Sequence, residues 1–173
     1  MRKYYKKLEV RLVKGRYQKI NPVVGGVESP EQIYEVFKKI KDKNQETRIG
    51  LYLDNDFEVR AYKILSLGTD CLALVVPKQI YEHAILAKAT FFILIHNHPS
   101  GDPSPSSEDL NAIKHILGGC KALELAMIDF IIVGDLLSER KRNYWSWFQS
   151  ATGCHKYTHD NIRRFVSDPF YAI

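Results

Sequence analysis

This sequence of 173 residues predicts an α/β fold built on a single mixed sheet flanked by helices. Helix-like and strand-like apolar patterns alternate along the chain, which favours strands and helices folded into one layered unit. The run FFILI, 91–95, is apolar at every position, as in a strand covered on both faces. Two strand-like segments flank Asn55 and Asp56, a pairing that suits a tight antiparallel turn.

The elements follow in order. Leu8, Val10 and Leu12 alternate with charged residues and predict a short strand, followed by a Pro/Gly loop, NPVVGGVE, 21–28. A helix opens at SPEQ: Ser29 caps, Pro30 suits the first helical position and Gln32 completes a capping box. Ile33, Val36, Phe37 and Ile40 form its buried stripe. ETRIGLYLD, with Ile49, Leu51 and Leu53 on one face, is a strand that pairs with FEVRAYKILSLG. A helix from about Pro77 carries Ile80, Tyr81, Ala84 and Ile85 on its apolar side. After the 91–95 strand, a helix from Ser107 turns Leu110, Ile113, Ile116 and Leu117 inward. Gly118 and Gly119 leave two endings open: the helix stops there or continues towards Leu123. MIDFIIVG and NYWSWF are the last two strands, and a short helix is expected near Asp160 to Val166.

Composition limits the function classes. No apolar run is long enough to span a bilayer, and MRKYYKKLEVRLVKG lacks the apolar block of a signal peptide. The expectation is a cytoplasmic protein with no membrane partner. Cys71, Cys120 and Cys154, an odd and widely spaced set, suggest reduced thiols. The net charge is +5, and Arg2, Lys3, Lys6, Lys7, Arg11, Lys14, Arg16 and Lys19 cluster against Glu9 alone. Arg140, Lys141 and Arg142 form a second knot. Such patches are either a solvated basic surface or a field that attracts nucleic acid.

The chemistry concentrates where FFILI runs into HNHPSGDPSPSSED. Strand side chains two apart point the same way, so His96 and His98 present their imidazoles together while Asn97 faces the other side. Pro99 removes a ladder donor and ends the strand, and Asp102, Pro103 and Pro105 turn the chain back. Ser106 starts the next helix, with Asp109 in its first turn, where a carboxylate is favoured by the helix dipole. Two imidazoles and one carboxylate make a three-ligand set that zinc accepts, leaving a fourth position for water. Taken separately, the histidines suit a strand edge, and Ser106 with Asp109 suits a helix cap. The ordered spacing His-x-His, seven residues, Ser, two residues, Asp points instead to a zinc site.

That string resembles the JAMM, or MPN-plus, metalloprotease signature, and HNHPSGDPSPSSED resembles the RadC family of JAB-domain proteins. LYLD with its turn, SLG at 66–68, VPKQIYEHAILAKA and MIDFIIVG fall where RadC-like chains carry matching segments, so the likeness covers roughly 29–148. The resemblance implies a cytidine-deaminase-like α/β sandwich. It implies that His96, His98 and Asp109 hold Zn2+, that Ser106 steadies the tetrahedral intermediate, and that Glu46 is the catalytic acid and base; Glu58 is the alternative. The implied activity is hydrolysis of a peptide or isopeptide amide in a protein or peptide substrate. The alternative is a non-proteolytic module of DNA repair or mobile-element biology, with nucleic acid as partner.

The chain departs from the RadC pattern in places. Residues 1–28, a basic strand and loop, do not resemble the helix-hairpin-helix of longer relatives. Phe130 stands where relatives commonly have histidine, and Glu124 where they have glycine. Residues 149–173 have no counterpart and form a C-terminal arm whose Tyr157, Phe165, Phe170 and Tyr171 are expected to pack on the domain or on a second copy in a homodimer. Cys154, His155 and His159 have the spacing of soft metal ligands but lack a fourth, and are expected to be incidental. His83 and His115 are expected to be structural, and Cys71 and Cys120 to be core thiols.

Overall fold

A computed structural model describes residues 26–67, 76–135 and 143–168. Its elements are α1 (Pro30–Phe37), β1 (Thr47–Leu53), β2 (Val59–Leu67), α2 (Pro77–Leu86), β3 (Phe91–Asn97), α3 (Ser107–Cys120), β4 (Ala126–Val133), β5 (Tyr144–Ser146), α4 (Trp147–Thr152) and α5 (His159–Ser167). The five strands form one sheet in the order β2-β1-β3-β4-β5. β3 and β4 run parallel and the other neighbours antiparallel, so the sheet is mixed and the fold α/β. Among the described residues no helix is long and apolar enough to cross a membrane. The predicted strand at Leu8, Val10 and Leu12, both basic clusters, Cys71, Phe170 and Tyr171 lie outside the described residues.

Local signals set the element boundaries. The Ser29 hydroxyl accepts from the Gln32 N–H, and the Gln32 amide oxygen reaches back to the Glu28 N–H at 2.7 Å. The box thus closes one residue upstream of the cap itself. Between β1 and β2, Asp54 Oδ1 accepts from the N–H groups of Asp56 and Glu58 and fixes the turn. The left-handed position there belongs to Phe57, whose ring is held by stacking on Phe91 at 5.2 Å.

The central strands are buried on both faces, as the unbroken apolar runs require. On β3, Phe92, Leu94 and His96 alternate with Ile93, Ile95 and Asn97, all buried. α3 covers the face of His96, and the Tyr81 hydroxyl donates to the Ile116 carbonyl, fastening α2 beside it. The opposite face takes α4 and α5. There Asp129 on β4 meets the Phe148 N–H and the Tyr157 hydroxyl.

Three expectations change in detail, and one open ending is decided. NYWSWF splits, because the Ser146 hydroxyl accepts from the Gln149 N–H and starts α4 there. The boundary drawn at Phe148 therefore falls inside a helix. α3 runs past Gly118 and Gly119 into a 3-10 turn, Lys121–Leu123. Leu110 is 43% exposed, because Asp109 takes the inward position and the next residue lies about 100° round the helix. Ile85 is 56% exposed; α2 buries fully only Ile80 and Ala84, four residues apart.

Candidate metal centre

Two elements and the turn between them deliver the predicted ligands to one point. β3 ends at Asn97, with His96 as its penultimate residue and His98 just beyond. The chain then turns through Gly101, Asp102 and Pro103 and re-enters as α3. Ser106 caps that helix with a reciprocal box: its hydroxyl accepts from the Asp109 N–H, and the Asp109 carboxylate accepts from the Ser106 N–H.

The resulting geometry is tight. His96 Nε2 lies 3.2 Å from His98 Nε2 and 3.2 Å from Asp109 Oδ1, and His98 Nε2 lies 3.2 Å from Asp109 Oδ2. Metal–ligand bonds of about 2.0–2.1 Å in a tetrahedron place neighbouring donors about 3.3–3.4 Å apart, close to each of these separations, although the two histidines approach different oxygens of Asp109. His98 Nδ1 lies 2.7 Å from the Asp102 carbonyl, which can only accept, so that nitrogen carries the proton. In its neutral form the ring turns the lone pair of Nε2 towards the cluster, as a metal ligand must. Ser106 donates its N–H and hydroxyl to Asp109 Oδ2, at 2.9 and 2.6 Å, and so orients the carboxylate. Acceptors crowd together here, an arrangement that a bound cation satisfies. His96, His98 and Asp109 can therefore hold a metal ion, and they form the one such cluster among the described residues.

Charge states differ within the cluster. Burial pushes His96 below its ordinary value, only partly offset by Asp109, so its imidazole is neutral at neutral pH. His98 is raised, chiefly by its hydrogen bond to Asp109. For Asp109, burial opposes ionisation, but the two imidazoles and the Ser106 hydroxyl outweigh it and hold the carboxyl far below the usual range.

Glu46 stands just ahead of β1, with Oε1 3.8 Å from His96 Nε2. Two devices keep it there. Arg48 reaches the same oxygen through Nε at 2.8 Å and Nη2 at 2.7 Å. From the far face of β3, Asn97 Oδ1 accepts from the Thr47 N–H while Nδ2 donates to the Gln45 carbonyl. The middle residue of His-Asn-His thus grips the backbone on both sides of Glu46. Glu58, the alternative, lies beside the hairpin turn at the other end of β1 and does not enter this cluster.

A cavity of about 390 Å³ opens on the site, between the sheet and α3. Its walls include Leu65, Leu94, Ile116 and Phe130, and Arg48, Asn111 and His115 also line it. His115 was expected to be structural. It is exposed where α3 lines the cavity, three residues after Ala112, and that helical spacing is the signal that could have placed it. The other histidines are dispersed: His159 Nε2 is 2.8 Å from the Asn55 carbonyl, and His155 Nδ1 3.2 Å from Gln149 Nε2.

Comparison with known proteins identifies the family. A family profile described as RadC-like JAB domain matches residues 27–150. The chain belongs to this family. A UPF0758 protein of Methanosarcina mazei is 34% identical over 110 residues, covering 63% of this chain and 48% of that protein. One from Streptococcus agalactiae serotype III is 32% identical over 145 residues, covering 83% and 60%. One from Shouchella clausii is 33% identical over 130 residues, covering 73% and 55%. The chain thus spans about half the length of the curated relatives it matches. Within the family match, the HNHPSGDPSPSSED string carries all three ligand candidates.

Proposed function

We propose that this protein is a zinc-dependent hydrolase that cleaves a peptide or isopeptide amide. The observation carrying this reading is the triangle of His96, His98 and Asp109 with the Glu46 carboxylate 3.8 Å from His96, at the wall of an open cavity. Zinc, when bound, supplies a Lewis acid that makes water nucleophilic near neutral pH and polarises a carbonyl.

The chain's own groups supply the rest. His98, with its Nδ1 proton committed to Asp102, and Asp109, with Oδ2 committed to Ser106, are held ready as ligands and need little reorganisation. Glu46 takes a proton from the attacking water on a carboxylate oxygen and delivers it to the leaving amine, a role worth about 10²–10⁴-fold in rate. Arg48 and Asn97 fix where that oxygen stands. The Ser106 hydroxyl donates to Asp109 Oδ2; it steadies an oxyanion only after swinging away from that oxygen.

The test separates binding from turnover. Elemental analysis of purified protein is expected to find zinc in the wild type and in Glu46→Gln, and to lose it in His98→Ala and Asp109→Ala. Turnover of a fluorogenic peptide library is expected to fall at least a hundredfold in Glu46→Gln. Unchanged hydrolysis in Glu46→Gln refutes the assignment, and zinc retained in Asp109→Ala refutes the ligand set.

A further inference from the structure

The cavity beside the triangle does not have the character of a polar binding cleft. Its walls combine the apolar side chains of Leu65 on β2, Leu94 on β3, Phe130 on β4, and Ala112 and Ile116 on α3. Phe130 stands edge-on to His96, with ring centroids 5.1 Å apart, so the apolar wall begins at the ligand ring itself. Of the charged lining groups, Arg48 is engaged with Glu46, Asp109 with Ser106 and the histidines, and Glu108 is exposed in the first turn of α3. A volume of about 390 Å³ lies within the range of roughly 300–1,000 Å³ typical of small-ligand sites and holds a large side chain with room for backbone beside it.

We infer that this cavity is a specificity pocket for a large aliphatic or aromatic side chain next to the amide that is cleaved. The inference rests on the hydrolase reading and adds the class of substrate residue. An apolar side chain entering the cavity leaves water for a surface made by Leu94, Ile116 and Phe130, while its backbone stays at the cavity mouth near His98 and Glu46. A charged or short polar side chain loses its hydration against those apolar walls, because the polar lining groups Glu108, Asn111 and His115 are exposed to solvent on α3. Burial of a leucine-sized side chain favours binding by at least tenfold over glycine.

The test uses zinc-loaded protein and two reversible probes, N-acetyl-leucine hydroxamate and N-acetyl-glycine hydroxamate, with affinity read by titration calorimetry. The leucine probe is expected to bind at least tenfold more tightly. Ala112→Leu, which fills the cavity from α3 and leaves the triangle untouched, is expected to retain zinc and the glycine probe and to lose the discrimination. Equal affinity of the two probes for the wild type overturns the pocket while leaving the metal reading intact. Discrimination undiminished in a folded, zinc-replete Ala112→Leu protein also overturns it. Failure of both probes to bind zinc-replete protein overturns the pocket together with the hydrolase reading.

Discussion

Replacing Asp129 with alanine removes the acceptor around which one face of the domain is assembled. Its carboxylate is fully buried on β4. Oδ1 accepts from the backbone N–H groups of Phe130 at 2.7 Å and Phe148 at 3.0 Å. Oδ2 accepts from the hydroxyls of Ser146 at 2.7 Å and Tyr157 at 2.6 Å. Alanine leaves two fixed backbone donors unpaired in the interior, at about 1–3 kcal/mol each. The expected loss is therefore about 2–6 kcal/mol, a large share of the roughly 5–15 kcal/mol that stabilises an ordinary domain. Asparagine should behave differently. Its carbonyl oxygen can serve both backbone donors, while its NH₂ meets two hydroxyls that rotate to accept. Asp129→Asn is expected to cost less than half as much as Asp129→Ala.

The same pair tests the charge. Burial raises the Asp129 carboxyl from its ordinary 3.8 to about 6, against the pull of its four donors. The folded protein therefore holds this proton more tightly than the unfolded chain. The associated stability is fully present below about pH 3.8 and is lost as pH rises through about 6. Between pH 4.5 and 7.5 the wild type should lose about 2 kcal/mol relative to Asp129→Asn, which has no proton to release there. Urea unfolding of both proteins at the two pH values measures this, and the subtraction removes the titration of the histidines. Equal losses from Asn and Ala, or a wild-type-minus-Asn difference that does not move with pH, would refute the reasoning.

Two further substitutions probe backbone positions. A Cβ on Gly134 would run into the Gly101 carbonyl oxygen and sit 2.6 Å from Pro103 Cδ and 2.8 Å from Pro103 N. Gly134→Ala is expected to destabilise by about 1–3 kcal/mol and, because Asp102 lies in the displaced loop and holds His98, to weaken zinc affinity. A chelator titration that finds wild-type affinity argues against that coupling. Glu124 closes the turn after α3 in the left-handed conformation at φ 53°, with its side chain exposed. Relief of about 1–2 kcal/mol of strain exceeds the backbone entropy that glycine adds to the unfolded chain, so Glu124→Gly should raise stability by up to about 1 kcal/mol. A lowered urea midpoint would contradict it.

The sequence by itself determined most of the element types, the hairpin and the candidate ligand set. Those follow from periodicity, turn chemistry and spacing along one stretch of chain: His96 and His98 share a strand face, and Asp109 is three residues past a cap. It also carried the family likeness that singled out Glu46. Contacts between distant segments were decided only by the tertiary structure. Asn97 grips the backbone about Glu46 across fifty residues of sequence, and no local pattern announces a side chain used that way. Phe130 and His115 reach the cavity because β4 lies beside β3 and α3 lies across both. Asp129 is a buried hub because Ser146, Phe148 and Tyr157 return to the far face of β4. Periodicity specifies which side of an element is apolar; which element that side meets depends on strand order and helix placement, set by packing over the whole domain.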